Sequence, residues 1–208
     1  IKKKDFIEIT NSFKYSFDLK QLPNVLNDNW PDQPRESTKS FWKMLGFKKT
    51  DCSDVNNMHE SIYIDLNNPL NDQNLKNQYH LVTDFGNNEH PFNRAEAYRT
   101  MHRLCKEGGI MWINQGLIGG NGFYNFDISF FESMAAVNNY EILSSYFILP
   151  CDNEPLRVPL SMDLINLLDL NKVKYIGVNY LFRKKSGKDF VFPIQSLGEF
   201  GKVNTYQA

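Results

Sequence analysis

Short apolar runs alternate with helix-like segments along the middle of this chain, and this alternation constrains the fold more than any other feature. Runs of strand character lie at 49–55, 61–64, 79–83, 110–113, 140–149 and 175–182. Strands that alternate with helices of about 10–15 residues are typical of parallel, doubly wound sheets. The sequence therefore predicts an α/β, Rossmann-like sheet that is mostly parallel, with an antiparallel hairpin of the last two strands at one edge.

Capping residues mark the helix starts. Asn93 is followed three positions later by Glu96, which is a capping-box arrangement, and Asp127 precedes the apolar face of another helix. A further helix is predicted from Ser37 to the glycine at position 46. The glycine pair at 108–109 is expected to end the helix that Asn93 begins.

One domain is predicted, because a chain of 208 residues buries one core well and two cores poorly. The predicted parts are an irregular N-terminal segment (1–35), a core (36–149), an insertion with an edge strand (150–183) and a surface tail (184–208). The insertion holds a leucine-rich helix at 162–170, and residues 6–9 are a candidate first strand.

The charge balance argues against several classes of partner. Lys and Arg total 23 against 24 Asp and Glu, so the chain has no basic footprint for nucleic acid or an anionic membrane. No apolar run approaches the roughly 20 residues that cross a bilayer. The three cysteines form no CxxC pair, and no His/Cys/Asp cluster has metal-ligand spacing. The sequence thus predicts a cytoplasmic protein with a small-molecule partner and no bound metal.

Three of the strand-like runs end near an aspartate, namely Asp54, Asp65 and Asp84. In open α/β sheets ligands bind beyond the carboxyl ends of the strands. A carboxylate after the second strand is placed to accept hydrogen bonds from both ribose hydroxyls of a nucleoside cofactor, and one after the third from an adenine amino group. The alternative for each aspartate is that it caps a turn, which Asp does commonly.

Two blocks of sequence carry a family resemblance. Residues 79–90, YHLVTDFGNNEH, resemble the fourth-strand motif of class I S-adenosylmethionine-dependent methyltransferases. Residues 98–109, YRTMHRLCKEGG, are similar to the helix of that family that ends in RxLKPGG, and the spacing between the blocks also fits. The similarity extends over about residues 36–149 and, less closely, to 195. It implies transfer of a methyl group from S-adenosylmethionine to a small polar acceptor, such as a sugar hydroxyl.

The resemblance implies roles for individual positions. The residues that match cofactor contacts are Asp54, Asp65, Leu66, Asp84, Phe85 and Gly86. Glu89 and His90 match the pair that opens the following helix on the acceptor side. His90 is the candidate general base, because a neutral imidazole can take a proton near pH 7. The alternative is a histidine that merely bonds to Glu89 or to the main chain.

A glycine-rich segment, GGNGFYN at 119–125, follows the strand predicted at 110–113. Asn121, Tyr124 and Asn125 are candidates to bind a polar acceptor through hydrogen bonds. No Lys-Ser/Thr pair follows, so the segment does not match a phosphate-binding P-loop. The alternative is a connector whose two phenylalanines are buried.

One feature of the family is missing. Its first strand ends in a glycine-rich turn that lets the main chain approach the cofactor, yet this chain has no glycine before Gly46. Residues 7–12 are a candidate degenerate version, with Thr-Asn-Ser where glycines belong. This departure favours a second hypothesis, a non-catalytic methyltransferase-like binding or scaffold domain. A third, an NAD(P)-dependent oxidoreductase, needs the same turn and ranks behind both.

Overall fold

The computed structural model describes residues 38–57, 60–149, 155–161 and 175–194, which belong to two units. The first unit extends to Asp65. It contains helix α1 and two short strands, with the bounds α1 Thr38–Met44, β1 Ser53–Asp54 and β2 Ile62–Tyr63. The strands pair in parallel, with Asp54 opposite Tyr63.

The second unit starts at Leu66 and contains a five-stranded sheet. Its elements in chain order are a 3-10 helix Gln73–Leu75, β3 Tyr79–Phe85, α2 Arg94–Leu104, β4 Cys105–Ile118, α3 Ile128–Val137, β5 Tyr140–Leu149, β6 Leu156–Pro159 and β7 Ile176–Lys184. The strand order is β3-β4-β7-β5-β6. Strands β3 and β4 are parallel, and the other three neighbouring pairs are antiparallel.

The predicted doubly wound, mostly parallel sheet is wrong. Strand β7 lies between β4 and β5 instead of at an edge, and it runs antiparallel to both. One parallel pair therefore remains in the described part of this sheet, which is mixed and mostly antiparallel. The apolar side chains of β7 account for its central place, because Ile176, Val178, Tyr180 and Phe182 are almost completely buried. Such a strand loses too much apolar burial at an edge.

Both N-cap predictions in this unit are confirmed, but the reciprocal half of the capping box is not found, because the Asn93 N–H donates to Asn67 Oδ1 and the Glu96 carboxylate pairs with Arg99. The Asn93 side chain accepts a hydrogen bond from the Glu96 N–H, and the Asp127 side chain accepts one from the Ser129 N–H at 2.8 Å. The predicted cap at Ser37, the strand at 6–9, the turn at 7–12 and the helix at 162–170 lie outside the described residues. Among the described helices, none has both the length and the apolar character that crossing a bilayer requires.

Helix α2 ends earlier than the glycine pair at 108–109 predicts. Leu104 is its last residue, and the chain enters β4 at Cys105 without a connecting loop. Tyr79 pairs with Cys105 but Leu81 pairs with Ile110, so residues 106–109 bulge out of the ladder. The glycines therefore form a bulge within the strand instead of ending the helix.

A buried lysine satisfies the end of α2. Lys184, at the end of β7, is 1% exposed, and its Nζ donates to the main-chain oxygens of His102 at 2.7 Å and Cys105 at 2.9 Å. The carbonyls of residues 103 and 104 accept the N–H groups of residues 77 and 78. Helix carbonyls that would otherwise lack partners are thus bonded, and the ammonium group also faces the negative end of the helix dipole.

The core lies between the sheet and its two long helices. Phe131 of α3 stacks on Tyr180 of β7 with ring centroids 5.0 Å apart, and Tyr98 of α2 contacts the same aromatic group. Phe190 belongs to the predicted surface tail, yet its ring is buried against that of His102. The described part of that tail therefore contributes to the core.

His102 is a buried neutral histidine. Its Nε2 donates to the Lys188 carbonyl at 2.8 Å, since a carbonyl can only accept, and its Nδ1 accepts the Tyr140 hydroxyl proton at 2.7 Å. Burial, aided by the nearby Lys184 ammonium, lowers the pKa of His102 from 6.5 to about 4. The folded protein therefore resists protonation of this ring.

Replacement of Lys184 by Met should lower the free energy of unfolding by about 2–3 kcal/mol, because two buried carbonyls lose their donor. Lys185→Met is the matched control. The Lys185 side chain is half exposed and pairs with Glu141 at the surface, so this change should cost less than about 0.5 kcal/mol. Urea unfolding measures both values, and equal effects of the two substitutions would contradict the role given to Lys184.

The stability difference between the wild type and His102→Gln should depend on pH. The folded-state pKa of His102 is depressed, so its stabilising contribution is complete above pH 6.5 and is lost as the pH falls to about 4. The difference should narrow by up to about 3 kcal/mol across this window. His80→Gln, which removes an imidazole at an exposed position, is the control. A stability difference between the wild type and His102→Gln that does not change with pH would refute the assignment of His102 as a buried neutral histidine.

Candidate functional site

Asp84 fastens the loop that follows β3. It is 3% exposed at the end of that strand. Its Oδ1 accepts the N–H groups of Asn87 at 2.9 Å and Asn88 at 3.2 Å, and its Oδ2 accepts a hydrogen bond from Gln115 Nε2 of β4 at 2.5 Å. The carboxylate thus ties residues 87–88 to the neighbouring parallel strand. Asp84 organises the loop, and its predicted contact with a cofactor stays a prediction.

Burial raises the pKa of Asp84 from 3.8 to about 6, although the three hydrogen bonds oppose the shift. The nearby Glu89 carboxylate raises it further. A buried carboxylate that titrates close to neutral pH is costly to keep ionised. Groups of this kind are concentrated at functional sites.

Glu89 is the carboxylate that the loop delivers to the site. It is 5% exposed, and three glycines make room for it. A Cβ atom at Gly116 or Gly120 would lie 3.3 or 3.2 Å from Glu89 Oε2, and one at Gly122 would lie 2.6 Å from the Glu89 carbonyl oxygen. The glycine-rich segment at 119–125 therefore closes over Glu89, which explains why side chains are absent at these positions.

His90 stands beside this carboxylate at the surface. Its side chain is 52% exposed, and its Nε2 lies 3.7 Å from Glu89 Oε1. Its N–H donates to the Asn87 carbonyl in a turn. Both the general base and its structural alternative, a histidine paired with Glu89, fit this geometry. An exposed imidazole next to a buried carboxylate can accept a proton from a solute and has its new positive charge stabilised.

Tyr175 is a site residue that sequence reasoning missed. It directly precedes β7 and is half-buried, and burial together with the Glu89 carboxylate raises its pKa. In the sequence it merely starts an apolar run, and Glu89 is 86 positions away. No local signal relates the two residues, because the sheet alone brings them together.

The predicted acceptor residues have different surroundings. Tyr124 donates its hydroxyl hydrogen to the Phe92 carbonyl at 2.9 Å, and the Arg94 guanidinium lies 4.5 Å from its ring centre. Asn121 is exposed. Asn125 Oδ1 lies beside Gly120, close to Glu89 Oε2. The structure thus brings Asn125 to the Glu89 site, while the Tyr124 hydroxyl is engaged with its own loop.

The glycine-rich segment is not the connector with two buried phenylalanines that the alternative expected. Phe126 is buried in the core, but Phe123 is 75% exposed. The Phe123 ring meets the Tyr124 ring edge to face at 6.5 Å and is otherwise open to solvent.

The predicted cofactor residues are divided between the two units. In the first unit, Asp54 ends β1 and accepts the N–H of Asn56 at 3.1 Å, and Asp65 follows β2. The parallel pairing of these strands places both carboxylates at the same edge. The resemblance assigns these two carboxylates to the ribose hydroxyls and the adenine amino group of S-adenosylmethionine, and their contact with a cofactor stays a prediction.

In the second unit the predicted cofactor residues are Leu66, Asp84, Phe85 and Gly86. Leu66 is half-buried at the start of the unit. Phe85 is exposed and meets Trp112 edge to face at 5.1 Å. Gly86 has a φ of +81° and donates its N–H to the Asn114 carbonyl, a conformation that favours glycine. The contact of these residues with a cofactor stays a prediction as well.

No protein-family model, curated protein or solved structure matches this chain. Across the described ranges, no group of three His, Cys, Asp or Glu side chains is arranged to hold a metal ion. The geometry around Glu89 and the motif resemblance are therefore the observations that support a function.

Replacement of Asp84 by Asn should stabilise the protein at pH 7. The new carboxamide oxygen can accept the same N–H groups, and the Gln115 amide can turn to present its Oε1, which has no partner among the described residues. The folded-state pKa is raised, so the wild type loses stability as the pH rises from 3.8 to about 6 and the variant does not. The variant should gain up to about 3 kcal/mol at pH 7, with no gain near pH 4.

Chemical denaturation at both pH values tests this expectation. A gain that is the same at pH 4 and pH 7 would show that the benefit of Asn is not electrostatic. A loss at pH 7 would show that the ionised carboxylate stabilises the fold.

Proposed function

We propose that this chain is a cytoplasmic S-adenosylmethionine-dependent methyltransferase that acts on a hydroxyl group of a small polar acceptor, such as a sugar. The observation that carries the proposal is the pair formed by the buried Glu89 carboxylate and the exposed His90 imidazole, 3.7 Å apart. The pair follows β3, at the carboxyl end of the one parallel strand pair that the described part of the second unit contains. Ligands of parallel strands bind at such ends.

The bound cofactor supplies a methyl group on a positively charged sulfur, which an oxygen nucleophile can attack. Transfer to the acceptor oxygen would break the bond between the methyl carbon and sulfur and leave S-adenosylhomocysteine, and His90 Nε2 would take the proton of the acceptor hydroxyl. The Glu89 carboxylate stabilises the imidazolium that results, and the glycine-rich segment limits access of water to that carboxylate. Orientation of the acceptor supplies much of the rate, as in other displacements between bound groups.

The resemblance assigns the ribose hydroxyls to Asp54 and the adenine amino group to Asp65. Phe85 offers an exposed ring, and the main chain at Gly86 permits close approach. The balanced charge of the chain favours a neutral acceptor over a polyanion.

A second candidate function, a methyltransferase-like binding domain without catalysis, is favoured by the state of Asp84. Both oxygens of its carboxylate bond within the protein, to two main-chain N–H groups and to Gln115. The missing glycine-rich turn points the same way. In this case Glu89 and His90 would bind a polar ligand, and no methyl group would be transferred.

Calorimetric titration with S-adenosylhomocysteine, with NAD as the control ligand, tests the cofactor. Binding at micromolar concentration that Asp54→Ala weakens at least tenfold is the expected result. Absence of binding to a folded full-length chain would overturn the enzyme proposal and leave the binding domain.

His90→Gln tests the base. It should lower the turnover of an accepted methyl glycoside by about 100-fold or more while the affinity for S-adenosylhomocysteine stays unchanged, since the imidazole acts on the acceptor proton. His80→Gln is the matched control, because His80 is an exposed histidine on β3. Equal turnover of the two variants would remove His90 from the mechanism.

A further inference from the structure

Two glycines face each other across β4 and β7. Gly116 and Gly177 are direct partners in this antiparallel pair. Side chains of directly opposed residues lie on the same face of a sheet, so the spaces that these glycines leave open adjoin each other. This places a gap on one face of the sheet, near the end of β4.

The gap is filled by two functional groups. The Glu89 carboxylate occupies the side of Gly116, where a Cβ would lie 3.3 Å from Oε2. The Tyr175 ring occupies the side of Gly177, where a Cβ would lie 2.9 Å from the hydroxyl oxygen. A phenol and a carboxylate from distant parts of the chain therefore lie side by side on the paired glycines.

The Tyr175 hydroxyl is available to a ligand. Within the described ranges no hydrogen bond involves this hydroxyl, and the residue is only half-buried. Its pKa is raised by burial and by Glu89, so the phenol keeps its proton at neutral pH. It is thus a hydrogen-bond donor next to a group that can only accept.

We infer that Tyr175 is an acceptor-binding residue: its phenolic O–H donates to an oxygen of the acceptor and holds it against the pair formed by Glu89 and His90. This rests on the proposed methyltransferase function and deepens it. A phenolic O–H beside a carboxylate can bind two neighbouring hydroxyls of one ligand. The phenol donates to one hydroxyl, and the carboxylate accepts from the other. The site therefore selects a polyhydroxylated acceptor, such as a sugar, over one with a single polar atom.

The test uses the full chain saturated with S-adenosylhomocysteine, with methyl glucoside, methyl galactoside and methyl mannoside as probes. Saturation-transfer NMR measures their binding without turnover. Tyr175→Phe should weaken binding of the preferred glycoside about tenfold or more, because it removes one hydroxyl and keeps the ring. The affinity for S-adenosylhomocysteine should stay unchanged. Tyr146→Phe is the matched control, since Tyr146 of β5 is also half-buried and pairs with Asn179 of β7.

A second variant tests whether the position of the Tyr175 ring depends on the space at Gly177. Gly177→Ala should displace the Tyr175 ring and weaken glycoside binding in the wild type. In the Tyr175→Phe background it should add little to the loss, because the hydroxyl is already gone. Additive losses would show that Gly177 matters for another reason and would overturn this account of the site.

The outcomes separate the two proposals. If the wild type binds S-adenosylhomocysteine and a glycoside but Tyr175→Phe binds both equally well, the role of Tyr175 is refuted and the methyltransferase proposal stands. If the wild type binds the cofactor product but none of the three glycosides, the polyhydroxylated acceptor is refuted. If it binds no S-adenosylhomocysteine, both proposals fall, and the calorimetric titration alone shows this.

Discussion

The junction between α2 and β4 depends on one buried ammonium group. The helix passes into the strand at Cys105 with no loop, which leaves carbonyls at the helix end inside the protein. Lys184 reaches two of them from the end of β7. Since β7 is also the strand between β4 and β5, this contact joins the centre of the sheet to the helix that packs on it. Loss of the amino group would leave buried acceptors unpaired, and an unpaired buried acceptor is costly.

A second buried charge has the opposite character. Burial raises the pKa of Asp84 to about 6, so an ionised carboxylate at this place costs stability at neutral pH. The same carboxylate fixes the loop that carries Glu89 and His90. Proteins retain such costs where geometry matters more than stability. The glycines opposite the loop serve the same geometry, because a side chain at Gly116 or Gly122 would occupy the space of Glu89.

Local rules of sequence predicted part of this architecture correctly. The caps at Asn93 and Asp127 hold because a capping side chain bonds to an N–H two or three residues away. The strand at 79–83 and the helix after Asn93 follow from hydrophobic patterns that likewise involve only residues close together in the chain. The central place of β7 could not be predicted, since an apolar strand fits equally well beside any neighbour that buries it. The prediction of a doubly wound, mostly parallel sheet was wrong for this reason.

The candidate site likewise has features that the local sequence predicts and features that depend on which strands pair. Glu89 and His90 are adjacent in the chain, so the sequence alone determined that a carboxylate and an imidazole accompany each other after a strand. Only the tertiary structure decided that the first is buried, that the second is exposed and that Tyr175 lies near Glu89. Burial and proximity depend on which strands pair. Pairing is set by the total apolar surface that the sheet and its helices remove from water, and no segment of the chain contains that information by itself.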